Sequence, residues 1–284
     1  MNFFQAIFLG LVQGLTEFLP ISSSAHIRIV STLMDLGDTG AAFTAITQIG
    51  TEAAVILYFR RDIVRLFLGW WRSLIGKKGK DLKSRLGAND FNARMAWYIV
   101  VGSLPVVILG LLLKSQIETT FRNLWLTATV LIIFGLFLGI ADQIGLKQKT
   151  TKDLNILGTL IFGFGQALAL IPGVSRSGGS ITAGLLAGFD RKTAARYSFL
   201  LAIPAVFGSG LFELVDCIKN PPANFPGFAS AFIATLVAFV VGYMVIIGFL
   251  KLISSHSFRG FVYYRIVIGL LLAVILALGV IPAF

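Results

Sequence analysis

Two short stretches of this chain concentrate side chains that could do chemistry. The first, QGLTEFLPISSSAH, spans residues 13–26. Gln13 and Glu17 are four apart and share one helix face, inside an apolar segment. A carboxylate at membrane depth costs several kcal/mol and marks a functional candidate by default. Ser22, Ser23, Ser24 and His26 follow at once, so carboxylate, hydroxyls and imidazole supply the parts of a nucleophile and its base. Glu17, Ser23 and His26 are the expected reacting set. The residue types leave open whether Ser23, His26 or water attacks; a hydroxyl at a helix start beside an imidazole favours Ser23 with His26 as its base.

The second stretch, PGVSRSGG, covers residues 172–179. Gly173, Gly178 and Gly179 let backbone amides approach a ligand. Ser175 and Ser177 can cap the helix that follows, whose free N–H groups then face an anion. Arg176 adds a permanent charge and a fork of donors matched to phosphate oxygens. Gln48 and Glu52, again four apart in an apolar block, are suited either to lining the same cavity or to hydrogen bonding between helices. His256 sits in a short basic loop without reactive neighbours and reads as structural. Cys217, the only cysteine, excludes an internal disulfide and a cysteine metal site.

Both stretches need elements that hold them inside a membrane. Of the 284 residues 56% are hydrophobic and 13% charged, and mean hydropathy is +0.87, which excludes a soluble fold. Residues 95–113, 124–141, 228–250 and 266–282 contain no Asp, Glu, Lys or Arg and are long enough to cross about 30 Å of hydrocarbon. Ten of the 24 Lys and Arg fall between Arg60 and Arg94. That cluster marks a cytoplasmic loop facing anionic lipid rather than a nucleic-acid surface. The opening MNFFQAIFLG lacks a basic n-region and a small-residue cleavage site, so no removable signal peptide is expected.

The chain also resembles itself. GLVQGLTEFLPISSS at 10–24 and GFGQALALIPGVSRS at 163–177 share a Gly, a Gln three residues on, an apolar stretch, and a Pro opening a Ser-rich turn. Pro20 and Pro172 break their helices. Each segment reads as a re-entrant hairpin, 2–19 with 23–34 and 154–171 with 178–189. Placing the flanks Arg191, Lys192, Arg196, Lys251, Arg259 and Arg265 in the cytoplasm satisfies the positive-inside rule for the second hairpin. The expected architecture is one all-α polytopic membrane domain, 1–284, of two inverted halves, about 1–145 and 153–284. Each half has a hairpin and three spans: near 41–59, 92–113 and 121–141, then 195–215, 228–250 and 263–282. Both termini lie outside and the hairpin tips meet near mid-membrane.

At these residues the sequence resembles the undecaprenyl-diphosphate phosphatases, also called bacitracin-resistance proteins, over essentially the whole chain. The family's Glu-or-Gln, three residues, Glu motif and its Pro-x-Ser-Ser stretch with a His match Gln13, Glu17, Pro20, Ser22, Ser23 and His26. Its Pro-Gly-x-Ser-Arg-Ser motif matches Pro172, Gly173, Ser175, Arg176 and Ser177. Where the family usually has Thr three residues further on, this chain has Ser180. The resemblance implies a bacterial inner-membrane enzyme that removes the terminal phosphate of undecaprenyl diphosphate and is stimulated by Mg²⁺ or Ca²⁺. Glu17 would be the residue steering that cation or acting as base. Gln13, Ser22, Gln48, Gly173, Ser175, Ser177, Gly178 and Ser180 would line the phosphate site. Expected partners are the lipid substrate and membrane lipids, not nucleic acid, with a homodimer left open. A transporter or flippase for a polyprenyl phosphate is the alternative. It fits less well, because one tip carries Glu17 and His26 where the other carries Leu170 and Arg176.

Overall fold

The computed structural model describes the backbone of residues 1–284 and every side chain except those of Ala41 and Glu118. Its regular structure is helical: α1 (Phe3–Thr16), α2 (Ser23–Leu33), α3 (Gly40–Tyr58), α4 (Arg60–Leu74), α5 (Leu82–Arg85), α6 (Phe91–Leu112), α7 (Lys114–Glu118), α8 (Leu124–Ile144), α9 (Ile156–Ala167), α10 (Arg176–Leu186), α11 (Arg191–Lys219), α12 (Phe228–Ile253) and α13 (Arg259–Ala277). Among the described residues five helices, α6, α8, α11, α12 and α13, are long and apolar enough to cross a membrane. The pair α3 and α4 passes the same test together but bends by 76°. Large apolar side chains stay bare on the outer surface, Leu111 at 70% exposure and Phe232 at 69%, as a lipid-facing belt requires. This is a multi-pass membrane protein.

Helix starts are written locally. Asn2, Asp90, Asn123, Asn155 and Asp190 each precede a helix and accept hydrogen bonds from its first-turn amides, at 2.7–3.3 Å. The two Ser-rich segments break where the prolines demand, but their arms are shorter than expected. α1 ends at Thr16 and α9 at Ala167, with a 3₁₀ turn over Leu168–Leu170 before extended Ile171. The residue before a proline is driven out of the helical region, so the last turn cannot close as α-helix. α1 packs on α2, and α9 on α10.

The remaining packing is equally paired. α1 lies on α12 as α9 lies on α6, and α3 meets α12 as α11 meets α6. Glycine makes the first two contacts close. A Cβ on Gly10 would stand 2.5 Å from the Ala234 carbonyl oxygen, and one on Gly163 would collide with the Gly102 carbonyl. Any larger residue at either position would separate the helices.

The stretch between Arg60 and Arg94, expected as a polar loop, is instead mostly helical. α4 packs on α6, and a short α5 is capped by Asp81. Two carboxylates tie the ends of the bundle. Asp142, at the end of α8, accepts from Arg191 Nε at 2.6 Å and from the Phe258 amide at 2.9 Å, joining the starts of α11 and α13. Asp38, in the loop before α3, accepts from Arg122 Nε at 2.5 Å and lies 3.2 Å from Arg28.

Burial alone would raise the Asp38 carboxyl; the Arg122 hydrogen bonds, the Gly40 amide and the Arg28 charge outweigh it and hold it below the ordinary Asp value. A depressed pKa contributes stability that is present above the unfolded value, about 3.9, and lost as pH falls through the folded one. Asp38→Asn is therefore expected to lower the thermal unfolding midpoint in detergent at pH 7. The gap to the unmodified protein should close below about pH 4. Midpoints measured across that range check this, and a gap independent of pH would assign the loss to packing instead.

Candidate active site

The two helix breaks meet. The Gly173 amide donates to Ser22 Oγ at 3.3 Å, and Ser177 Oγ donates to the Leu19 carbonyl at 3.2 Å. Ser22 and Ser175, the residues just before α2 and α10, both hold positive φ, 74° and 70°. Side-chain-bearing residues adopt that region at a cost of order 1–3 kcal/mol, and such strain gathers at functional sites. It aims Ser23 and Arg176, the first residues of α2 and α10, at the junction.

Glu17, just past α1, is the hub. Its Oε2 accepts from Gln13 Nε2 at 2.6 Å and from Ser23 Oγ at 2.5 Å, while its Oε1 takes Arg176 Nη2 at 2.9 Å. The second arm of the Arg176 fork, Nη1, pairs with Glu52 of α3. One guanidinium thus bridges two carboxylates that are almost fully buried. The Arg176 side chain retains 13% exposure against 2% for Glu17 and 0% for Glu52, so an arriving ligand meets the cation first. Two oxygens here remain buried without a hydrogen-bond partner: Gln13 Oε1 and Glu52 Oε2.

The His26 ring nitrogens contact groups other than the Ser23 hydroxyl. Its Nδ1 lies 2.7 Å from the Ser22 carbonyl and its Nε2 lies 2.8 Å from the Tyr264 hydroxyl, with the two rings stacked at 5.6 Å. A carbonyl only accepts, so the neutral ring carries its proton on Nδ1 and accepts from Tyr264. These contacts link the start of α2 to α13, and the Ser23 hydroxyl donates to Glu17 instead. The second tip also spends donors on itself. Ser175 Oγ accepts from the Gly178 amide at 3.1 Å and lies 3.1 Å from Ser177 Oγ; Ser180 Oγ donates to the Arg176 carbonyl at 2.7 Å. Gln48 sits one helical turn before Glu52 on α3, half-buried. Gln13, Glu17, Ser23, Arg176 and Glu52 converge; Ser180 and Gly178 bond within their own tip, and Gly173 joins that tip to Ser22 of the other.

One residue moves from the periphery to the centre. Arg265, expected as a cytoplasmic flank, is fully buried on α13. Its Nη1 donates to the carbonyls of Pro20 (2.8 Å) and Val174 (3.0 Å), its Nη2 to Gly173 (2.6 Å) and its Nε to Leu131 (3.3 Å). The same guanidinium therefore grips both tips. By charge counting, an Arg at the rim of an apolar run cannot be told from a membrane-edge residue, which is why it escaped notice. Glu52 was visible as an apolar-block carboxylate, but its partner across 124 residues was not.

Fold and site together define a multi-pass helical membrane protein. It buries a carboxylate–serine–arginine centre where two helix breaks meet. The chain belongs to the bacitracin resistance protein BacA family, whose model matches residues 6–271. Similar proteins extend over its whole length. One from Bifidobacterium adolescentis, named undecaprenyl-diphosphatase, is 57% identical, the match covering 99% of this chain and 97% of that protein. Others of the same name are 54% identical in Bifidobacterium longum (100% and 97%) and 55% identical in Paenarthrobacter aurescens (100% of each).

Arg265→Lys keeps a charge but replaces the fork by one nitrogen, leaving buried carbonyls unpaired at about 1–3 kcal/mol each. A clearly lower unfolding midpoint is expected, and Arg265→Met should fall further. Thermal unfolding of the purified variants checks the order; an unchanged midpoint for the lysine variant would remove the tip-clamping role.

Proposed function

We propose that this chain is an undecaprenyl-diphosphatase, hydrolysing undecaprenyl diphosphate to undecaprenyl phosphate and inorganic phosphate in the inner membrane of a bacterium. That reaction returns the lipid carrier used in cell-wall synthesis. Family membership and the relatives' names support the reaction. The observation that carries its chemistry is that one carboxylate, Glu17, binds both the hydroxyl of Ser23 and the guanidinium of Arg176.

In this reading Arg176 holds the terminal phosphoryl group and stabilises charge as the bridging bond breaks. Ser23 Oγ bonds to phosphorus as the bridging phosphorus–oxygen bond breaks; the Ser23 proton passes to Glu17 Oε2 and from there to the departing undecaprenyl phosphate, which leaves Glu17 ionised again. Water then attacks the phosphoserine and gives a proton to Glu17, which returns it to Ser23 Oγ as the Oγ–phosphorus bond breaks and phosphate is released. Gln13 fixes the carboxylate through its 2.6 Å hydrogen bond. His26 holds Ser22, and with it the start of α2, in register. Two carboxylates face one Arg in this cluster, so it offers a diphosphate no surplus of positive charge. The oxygen-only set of Glu17, Glu52 and the unpartnered Gln13 amide oxygen suits a hard divalent cation, Mg²⁺ or Ca²⁺. When bound there, the ion supplies the positive charge that an anionic substrate needs.

The same proposal includes two inverted halves, about 1–145 and 153–284, with both hairpins re-entrant, both termini outside and the 60–94 region in the cytoplasm. The matched glycine contacts of α1 with α12 and α9 with α6 favour the repeat, and the ten basic residues of 60–94 favour the orientation.

Purified protein in detergent should release phosphate from undecaprenyl diphosphate, stop on addition of EDTA and recover with excess Mg²⁺. Ser23→Ala and Glu17→Gln should each lose at least about a hundredfold in rate. Their double variant should fall little below the worse single, as residues acting together do. Arg176→Lys should lose more than tenfold, on the order of 2 kcal/mol. Near-normal turnover by Ser23→Ala would sink the assignment of the nucleophile. For orientation, a Cys217→Ser background carrying Lys78→Cys should label only from the cytoplasmic side, and one carrying Phe284→Cys only from outside.

A further inference from the structure

α4 has three faces. At 3.6 residues per turn, Leu66, Gly69 and Ser73 are buried, and Gly69 presses on Asn92 at the start of α6. Val64, Phe67, Leu68 and Trp71, spaced i, i+3, i+4, i+7, form an exposed apolar stripe with exposures between 42% and 56%. Arg61, Arg65 and Arg72 form an exposed basic stripe beside it. Such a helix lies in the plane of a membrane interface. The 76° bend after α3 supplies that change of direction.

Beneath α4 runs a crevice of about 260 Å³, walled by Ile63 and Trp70 of α4, Ile99 and Val100 of α6, and Leu200 and Pro204 of α11. Its walls are apolar throughout. Around the helix the order is basic stripe, apolar stripe, crevice: the order of a phospholipid's charged head, upper chain and lower chain. Residues 60–94 carry ten Lys and Arg against three acids, Asp62, Asp81 and Asp90. Those acids are already engaged, by Arg196 at 2.7 Å, by Ser84 and by Lys78 at 3.5 Å respectively. The region's free charge is positive and complements an anionic head.

We propose that the crevice and stripes of α4 bind one anionic phospholipid of the surrounding leaflet. An acyl chain lies between α4, α6 and α11, and the headgroup phosphate lies at the level of Arg61, Arg65 and Arg72. The substrate is not the occupant, since the centre around Glu17 is built from other helices. Such a ligand would brace the joint between α3 and α4, whose partner helix α3 carries Glu52.

The test is native mass spectrometry of the full-length protein with phosphatidylglycerol and phosphatidylcholine of matched chains. Preferential retention of phosphatidylglycerol is expected. The preference should fall at least about fivefold in the combined Arg61→Gln, Arg65→Gln, Arg72→Gln variant. Ala96→Phe, which fills the crevice, should retain neither lipid. Should Ala96→Phe fail to fold, Val100→Phe narrows the same crevice from α6 and should weaken retention of both lipids about fivefold. Equal retention of both lipids, or an unchanged preference in the arginine variant, would overturn the proposal. So would displacement of phosphatidylglycerol by undecaprenyl phosphate, which would give the crevice to the substrate's chain.

Discussion

A helix break buried inside a bundle leaves carbonyl groups without their intrahelical partners, and this structure answers that constraint with a single side chain. Two breaks bring such carbonyls to one place, where each would be costly if left unpaired. Arg265 reaches them from α13 and donates to Pro20 of one tip and to Gly173 and Val174 of the other. The guanidinium suits this because it has five donors in a fixed plane and stays charged. Its carbonyl partners stabilise the cation in turn. It also lies against Gly178 in the first turn of α10, 3.0 Å from where a Cβ would stand. The clamp therefore also reaches the first turn of the helix that begins with Arg176.

The tips share a scaffold yet divide the work. Gln13 has Glu17 four residues on, and its amide nitrogen donates to that carboxylate. Gln166, at the matching place on α9, has Leu170 four residues on, and neither its amide oxygen nor its nitrogen has a partner. Both next helices start after a serine at positive φ, but one begins with Ser23 and the other with Arg176. An acceptor of protons with a hydroxyl on one side and a cation on the other is what the junction brings together. Neither half alone has both.

Much of this was legible because it is local. Proline positions marked the breaks, and charge-free blocks marked the spans to within a few residues. Gln13, Glu17, Ser23 and Arg176 stood out because polar groups in apolar segments require a reason. What stayed hidden depends on contacts between distant segments. Tyr264 captures His26 across 238 residues, a pairing that the spacing of His26 and Ser23 argued against. Arg265 and the α4 arginines look alike to a charge count, though one is sealed in the core and the others face outward. The helical period of α4 was present in Val64, Phe67, Leu68 and Trp71 but was masked by the density of basic residues around it.

The engagement of Arg176 with two carboxylates does not bar it from holding an anion. Of its five N–H donors, two are directed to Glu17 and Glu52, which leaves three for a ligand. Its exposed edge is the part of the ion triad that a ligand reaches first. A phosphoryl group can therefore dock on the free edge while the inner edge stays pinned. The carboxylates then act as a brace that fixes the plane of the fork, and Ser23 donates to the same Glu17 oxygen as Gln13. A lysine would offer a single nitrogen for all of these partners, so it could hold the brace or the ligand but not keep both in register. The need for a planar fork follows from the geometry of the two glutamates as much as from the chemistry of phosphate.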